Sequence, residues 1–189
     1  MIIDDDIKKC IEVLQKGGTI LYPTDTIWGI GCDATNEEAV AKIYALKNRN
    51  EAKSMIILLA NEEDILQYTH EKELKVYDYI KGITKPVTII YQQAMHLANN
   101  VVNEDGSIGI RIVKDPFCQA LIKAYGKPIV STSANISGYP PPQLFSDIDN
   151  AIKTKVDYVV QHRQEEQEPG TPSTVIKMNT DGTYIVLRP

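Results

Sequence analysis

The run Ser131-Thr132-Ser133-Ala134-Asn135 puts three hydroxyls and an amide into five positions. It follows Pro128-Ile129-Val130, which reads as the end of a buried strand, and it precedes a turn, Ser137-Gly138-Tyr139-Pro140-Pro141-Pro142. Buried polar groups cost free energy unless they are paired. A cluster of them at a strand mouth is where an α/β fold holds a polar ligand. A serine nucleophile would need a base. His70, His96 and His162 stand in no motif with Cys, Asp or Glu, so a Ser-His-Asp mechanism is poorly supported. Ser131, Ser133 and Asn135 therefore read as hydrogen-bonding and orienting groups.

Other polar groups repeat the theme. Tyr22-Pro23-Thr24-Asp25-Thr26 is a strand followed by a polar turn. Turn chemistry accounts for it, with Thr and Asp bonding the local backbone. Its hydroxyls, beside Gly29 and Gly31, also suit a small polar ligand. Lys47, Arg49 and Lys53 gather cations at a helix C-terminus. They complement the helix dipole in a solvated loop, or they clamp a polyphosphate. No G-x-x-x-x-G-K-[ST] run occurs, so side chains and scattered backbone groups would hold any nucleotide. Arg111 lies between Ile110 and Ile112; if the isoleucines face the core, Arg111 faces out. Ser173-Thr174 repeats the strand-edge hydroxyls, and Arg188 is penultimate.

The chain of 189 residues suits one sizeable domain. Its 43% hydrophobic and 24% charged content is that of a soluble globular domain. No apolar run approaches the ~20 residues of a membrane helix. The start, Met1-Ile2-Ile3-Asp4-Asp5-Asp6, lacks the basic region of a signal peptide. Cys10, Cys32 and Cys118 are odd in number and scattered, which argues against disulfides or a zinc site and fits a reducing cytoplasm. The net charge of −5 argues against strong unaided nucleic-acid binding.

Helices and strands interleave throughout, predicting one α/β domain over 1–189 with a mixed sheet. Asp4 to Asp6 cap a first helix with Ile7, Cys10, Ile11 and Leu14 on one face, ended by Gly17-Gly18. Strands are predicted at 19–22, 28–31, 55–59, 87–91, 107–112 and 157–161. A capping box opens a helix at Thr35 to Glu38. One or two helices cover 61–81, another starts at Asp115-Pro116 and ends at Gly126, and a short one lies near 145–153. A hairpin with a turn at Asp181-Gly182 closes the chain.

Together these pieces resemble the YrdC-type threonylcarbamoyl-AMP synthase family. The resemblance runs from Thr19 to Arg188. It rests on Tyr22 to Thr26 with Gly29 and Gly31, Lys47-x-Arg49, Pro86-x-Thr88, and Gly109-Ile110-Arg111. It continues through Ser131 to Asn135 with Ser137, Gly138 and Pro141, and through Ser173 to Val175. The resemblance implies an open twisted α/β sheet with a concave groove. It implies that L-threonine, bicarbonate and ATP, the last with Mg²⁺, give threonylcarbamoyl-AMP and pyrophosphate. A separate complex would pass the group to adenosine 37 of tRNA, and the chain itself would bind tRNA weakly if at all.

By position, Lys47, Arg49, Ser133 and Asn135 match the family's signature. Thr26, Arg111 and Ser131 would hold threonine, with Ser173 close by and Thr24 in the same pocket. Arg49, Lys53, Ser107, Ser133, the backbone near Pro141, and Arg188 would hold ATP. No dedicated metal ligands are expected. The chain departs from the pattern at Asn50 and Ser54, where proline is common, and at Leu58, where many members place histidine. It departs again at 161–171, where Arg163 and several acids replace glycines. Ending at Pro189, it is expected to lack the longer form's extra domain. The alternatives are a double-stranded RNA-binding module, a catalytically silent paralogue, and a carbamoyl-transfer enzyme of hydrogenase maturation. The acidic pI of 5.2 weighs against the first. Retention of Lys47, Arg49 and Asn135 weighs against the second, and the short chain without cysteine pairs against the third.

Overall fold

The computed structural model describes residues 2–48, 55–70, 80, 82–178 and 183–189. Its strands are β1 (Ile20–Tyr22), β2 (Gly29–Gly31), β3 (Ile56–Leu59), β4 (Val87–Tyr91), β5 (Ile108–Ile112), β6 (Ile129–Ser133), β7 (Tyr158–Val159), β8 (Thr174–Met178) and β9 (Tyr184–Arg188). They form one mixed α/β sheet in the order β7-β1-β2-β6-β3-β5-β4-β8-β9. Pairs β1/β7, β3/β5 and β4/β8 are parallel; the other neighbours are antiparallel. The central strands read as apolar runs because helices and loops cover them. Ile57, Leu58, Ile108, Ile129 and Val130 are fully buried. At the far edge, every residue of β9 is exposed.

Local chemistry sets the helix ends. Asn36 caps the helix Glu37–Lys47 by accepting from the Ala39 amide at 3.1 Å, and left-handed Asn48 closes it. Asp115 caps Pro116–Tyr125 through the Cys118 amide at 2.8 Å, and Gly126 ends that helix at φ 77°. The first helix differs from expectation. It runs Ile2–Gln15, so the acidic triplet lies inside it rather than capping it. Asp6 faces inward at 1% exposure. It accepts from the Tyr158 hydroxyl at 2.6 Å and from the Gln161 and His162 amides at 3.0 and 2.9 Å. A carboxylate can be buried this way because each hydrogen bond replaces lost hydration. Asp6, Cys10 and Leu14 then make one buried stripe at i, i+4, i+8.

Within 61–81 the described helix is Ile65–Tyr68. The span near 145–153 divides into a 3₁₀ turn, Phe145–Asp147, and a short helix, Asn150–Lys153. The turn at Asp181-Gly182 lies outside the described residues. Among those residues, no helix is long and apolar enough to cross a membrane.

Candidate active site

Alternate residues of a strand share a face, so register decides which side chains meet. Gly29 pairs with Ser133, Ser131 with Ile56, Ile56 with Gly109, and Leu58 with Arg111. Ser131, Ser133, Gly29, Ile56 and Arg111 therefore lie on one face, across β2, β6, β3 and β5. They line a cleft of about 220 Å³ together with Thr26, Ile27, Trp28 and Met55. Thr132, Pro141, Pro172, Ser173 and Arg188 complete the lining. Gly29 keeps its floor open: a Cβ there would stand 3.1 Å from Ser131 Oγ.

Arg111 does not face solvent, as its strand alternation suggested; it is 3% exposed. Both faces of β5 are packed, with Ile110 in the core and the Thr24–Asp25 turn over Arg111, so its alternation separates core from cleft rather than core from water. A buried guanidinium requires a counter-charge. Asp25 supplies it, with Oδ1 3.2 Å from Arg111 Nη2, while Asp25 Oδ2 accepts from the Lys114 amide at 3.3 Å. Asp25 thus reaches across the fold instead of bonding its own turn. Arg111 Nε is buried without a hydrogen-bond partner.

Thr24 does bond its own turn. Its Oγ1 donates to the Ile27 carbonyl at 2.8 Å, accepts from the Thr26 amide at 3.1 Å, and lies 2.9 Å from Thr26 Oγ1. Arg111 Nη2 reaches it at 3.5 Å. Thr26 and not Thr24 lines the cleft, so Thr24 is a hub behind it. Burial pushes the Cys118 thiol well up, and Cys118 Sγ donates to the Pro23 carbonyl at 3.2 Å, fastening the turn from below.

On the opposite flank, Ser173 is 1% exposed and its Oγ lies 2.8 Å from Thr88 Oγ1. Arg188 grips the Ser173 carbonyl through Nε at 3.0 Å and Nη2 at 2.9 Å. Desolvation and the nearby Arg111 charge both lower the Arg188 pKa. Two guanidinium groups thus repel each other around one cleft, and an anion between them would relieve that repulsion.

Lys47 and Asn135 stand behind the lining. Lys47 is 1% exposed rather than solvated, and its Nζ donates to the Ser133 carbonyl. Its own carbonyl accepts from the Ser137 amide at 2.9 Å. Asn135 Nδ2 donates to the Ile136 and Tyr139 carbonyls at 3.0 and 2.7 Å, leaving a buried Oδ1 without a hydrogen-bond partner. Both residues brace the strand end that presents Ser131 and Ser133. Ser107 is placed elsewhere: it immediately precedes β5, about 13 Å from Arg111 at ~3.3 Å per residue. It lines a separate open depression and bonds Asp105 and Asn103. Arg49 and Lys53 lie outside the described residues.

Sequence reasoning missed Asp25 as the partner of Arg111, and Trp28 and Ile56 as lining. The motif around Thr24 flagged the region of Asp25, but a pairing so distant along the chain leaves no local signal.

The Sua5/YciO/YrdC family model, described as telomere recombination, matches residues 12–189. The threonylcarbamoyl-AMP synthase of Vibrio parahaemolyticus is 33% identical over 158 residues, covering 80% of this chain and 84% of the relative. The structure of P. abyssi Sua5 complexed with L-threonine superposes with a TM-score of 0.84 at 24% identity. That match covers 97% of this chain and 53% of that one, so this chain spans about half of that protein's length. E. coli YciO superposes at 0.82 with 24% identity, covering 96% and 87% of the two chains. By its sequence over nearly its whole length, the chain belongs to the Sua5/YciO/YrdC family.

Proposed function

We propose that the protein is a threonylcarbamoyl-AMP synthase, making the adenylate and pyrophosphate from L-threonine, bicarbonate and ATP. The observation that carries this reading is the cleft in which Arg111, Thr26 and Ser131 converge with Arg188 and Ser173. It offers cations and hydroxyls, as two anionic reactants need.

Threonine's carboxylate would pair with Arg111, whose Nε awaits an acceptor, while the hydroxyls of Thr26 and Ser131 orient its polar groups. The amine attacks bicarbonate carbon to give the carbamate and water. A carbamate oxygen then bonds the α-phosphorus of ATP, the α–β phosphoanhydride bond breaks, and pyrophosphate leaves. No protein nucleophile is required. The protein's task is to suppress repulsion and align the attack. Arg188, Arg49 and Lys53 would offset phosphate charge, and Ser133, held by Lys47, would set its edge. Asn135 would keep the Pro141 backbone in reach. Ser107 has no part in this scheme.

Mg²⁺ would arrive on the triphosphate. Asp25, the carboxylate beside the cleft, is committed to Arg111 and the Lys114 amide, so these residues do not fit a magnesium site of their own. The product would pass, in the cytoplasm, to a separate complex that modifies tRNA.

The test is carbon labelling. Purified protein with ATP, Mg²⁺, L-threonine and ¹³C-bicarbonate should yield an adenylate one mass unit heavier than with natural bicarbonate. An adenylate that carries no label would refute the carbamate route.

A further inference from the structure

The segment from Val160 to Ser173 wraps the Thr24–Thr26 turn. Its start is pinned by Asp6, which accepts from the Gln161 and His162 amides. Arg163 follows in a left-handed conformation, φ 68°, where a non-glycine residue is disfavoured. That backbone aims its guanidinium at three acceptors. Nη1 donates to the Thr24 carbonyl at 3.2 Å and to Asp115 Oδ2 at 2.9 Å, and Nε donates to Glu166 Oε2 at 2.8 Å. Asp115 is itself the cap of the Pro116–Tyr125 helix. At the far end, Gly170 presses on the same turn so closely that a Cβ would meet the Thr26 carbonyl oxygen at 2.0 Å. Pro172 and Ser173 then enter the cleft lining.

The two carbonyls that flank Asp25 are thus fixed from outside, one by a hydrogen bond and one by contact. The hydroxyl of Thr24 is the hub that sets Thr26. A shift of Thr24 would move the Thr26 hydroxyl and the Asp25 carboxylate together.

We propose that Arg163 is a positioning residue for the amino-acid half of the site, acting through the Thr24 carbonyl to hold Thr26 and Asp25 in their binding positions. Arg163 does not line the cleft, so it would act through the turn rather than on the substrate. Its removal would weaken threonine binding and spare ATP binding. The proposal rests on the functional reading above.

The test separates positioning from general stability by choice of substitution. Arg163→Gly removes the guanidinium while suiting the left-handed backbone better than arginine does. Trp28, the chain's one tryptophan, lines the cleft, so its fluorescence reports ligand binding. Titrations of the full chain with L-threonine and with ATP should show R163G about five- to tenfold weaker for threonine, the equivalent of one or two lost hydrogen bonds. ATP affinity should stay within about twofold, and Arg163→Lys should recover part of the loss, because lysine restores the charge without the fork. Equal weakening for both ligands, or wild-type threonine affinity in R163G, would overturn the proposal. A wild-type protein that binds no threonine would overturn the functional reading and the proposal with it.

Discussion

Arg111 Nη2 and Asp25 Oδ1 stand 3.2 Å apart with side chains only 4% and 9% exposed. The pair joins an interior strand to the turn after β1. Asp25 Oδ1 makes no hydrogen bond, so the contact works as charge compensation rather than as a directed bond. Asp25→Asn should leave a buried cation uncompensated and cost about 3 kcal/mol of stability in urea unfolding. The double variant D25N/R111M should regain much of that stability and remain unable to bind threonine. If the double variant were no more stable than D25N, charge compensation would not be the role of Asp25.

Two glycines of β2 should separate activity from stability. A Cβ at Gly31 would stand 2.7 Å from the Val130 carbonyl oxygen and from Tyr22 Cε1, so backbone must move. G31A should lose about 1–3 kcal/mol of stability. A Cβ at Gly29 meets the Ser131 hydroxyl at 3.1 Å and the Thr132 carbonyl at 3.5 Å. G29A should unfold within about 1 kcal/mol of the wild type. Its kcat/KM for threonine should fall at least about tenfold, because Ser131 is displaced. Denaturation curves and steady-state kinetics on the two variants check both halves.

Lys47→Met keeps the apolar stem and removes the ammonium that donates to the Ser133 carbonyl. The expected result is a folded protein with kcat reduced about 10²-fold, comparable to removing one preorganised electrostatic group. Near-normal turnover in K47M would show that the Ser133 edge holds without Lys47.

The strands at 87–91 and 107–112 and the helix Pro116–Tyr125 were legible in the sequence because local signals fix them; the helix Glu37–Lys47 was legible too, but Asn36 caps it and not Thr35. Asp115-Pro116 and Gly126 act within one turn of the backbone. The serine run at 131–133 was legible as the lining of a cleft because three polar groups at a strand end have no packing use. What the sequence concealed is tertiary. Arg111 is buried because the turn carrying Thr24 and Asp25 packs over its face of β5, and Asp6 is a buried acceptor because β7 and its loop fold against the first helix. Lys47 read as either a solvated cation or part of a phosphate clamp, and it is buried behind Ser133. Nothing in a four-residue window distinguishes these cases.

Asp33 gives a pH prediction. Burial raises its pKa, but hydrogen bonds from Lys127, Thr35 and Tyr125 outweigh it and leave the pKa below the ordinary value of 3.8. A depressed folded-state pKa stabilises the protein above the unfolded value and loses that contribution as pH falls through the folded one. Stability should therefore drop below about pH 4, the unfolded carboxylate range. Asp33→Asn should be less stable at pH 7 and show a shallower acid slope than the wild type. An identical slope would remove Asp33 from the account.

In the proposed function the cleft joins threonine to ATP chemistry. The most direct measurement is pyrophosphate release from ATP in bicarbonate buffer with Mg²⁺, with and without L-threonine, for the wild type and for Arg111→Met. Release should depend on threonine in the wild type and be nearly abolished in R111M. Release that ignores threonine, or that survives in R111M, would contradict it.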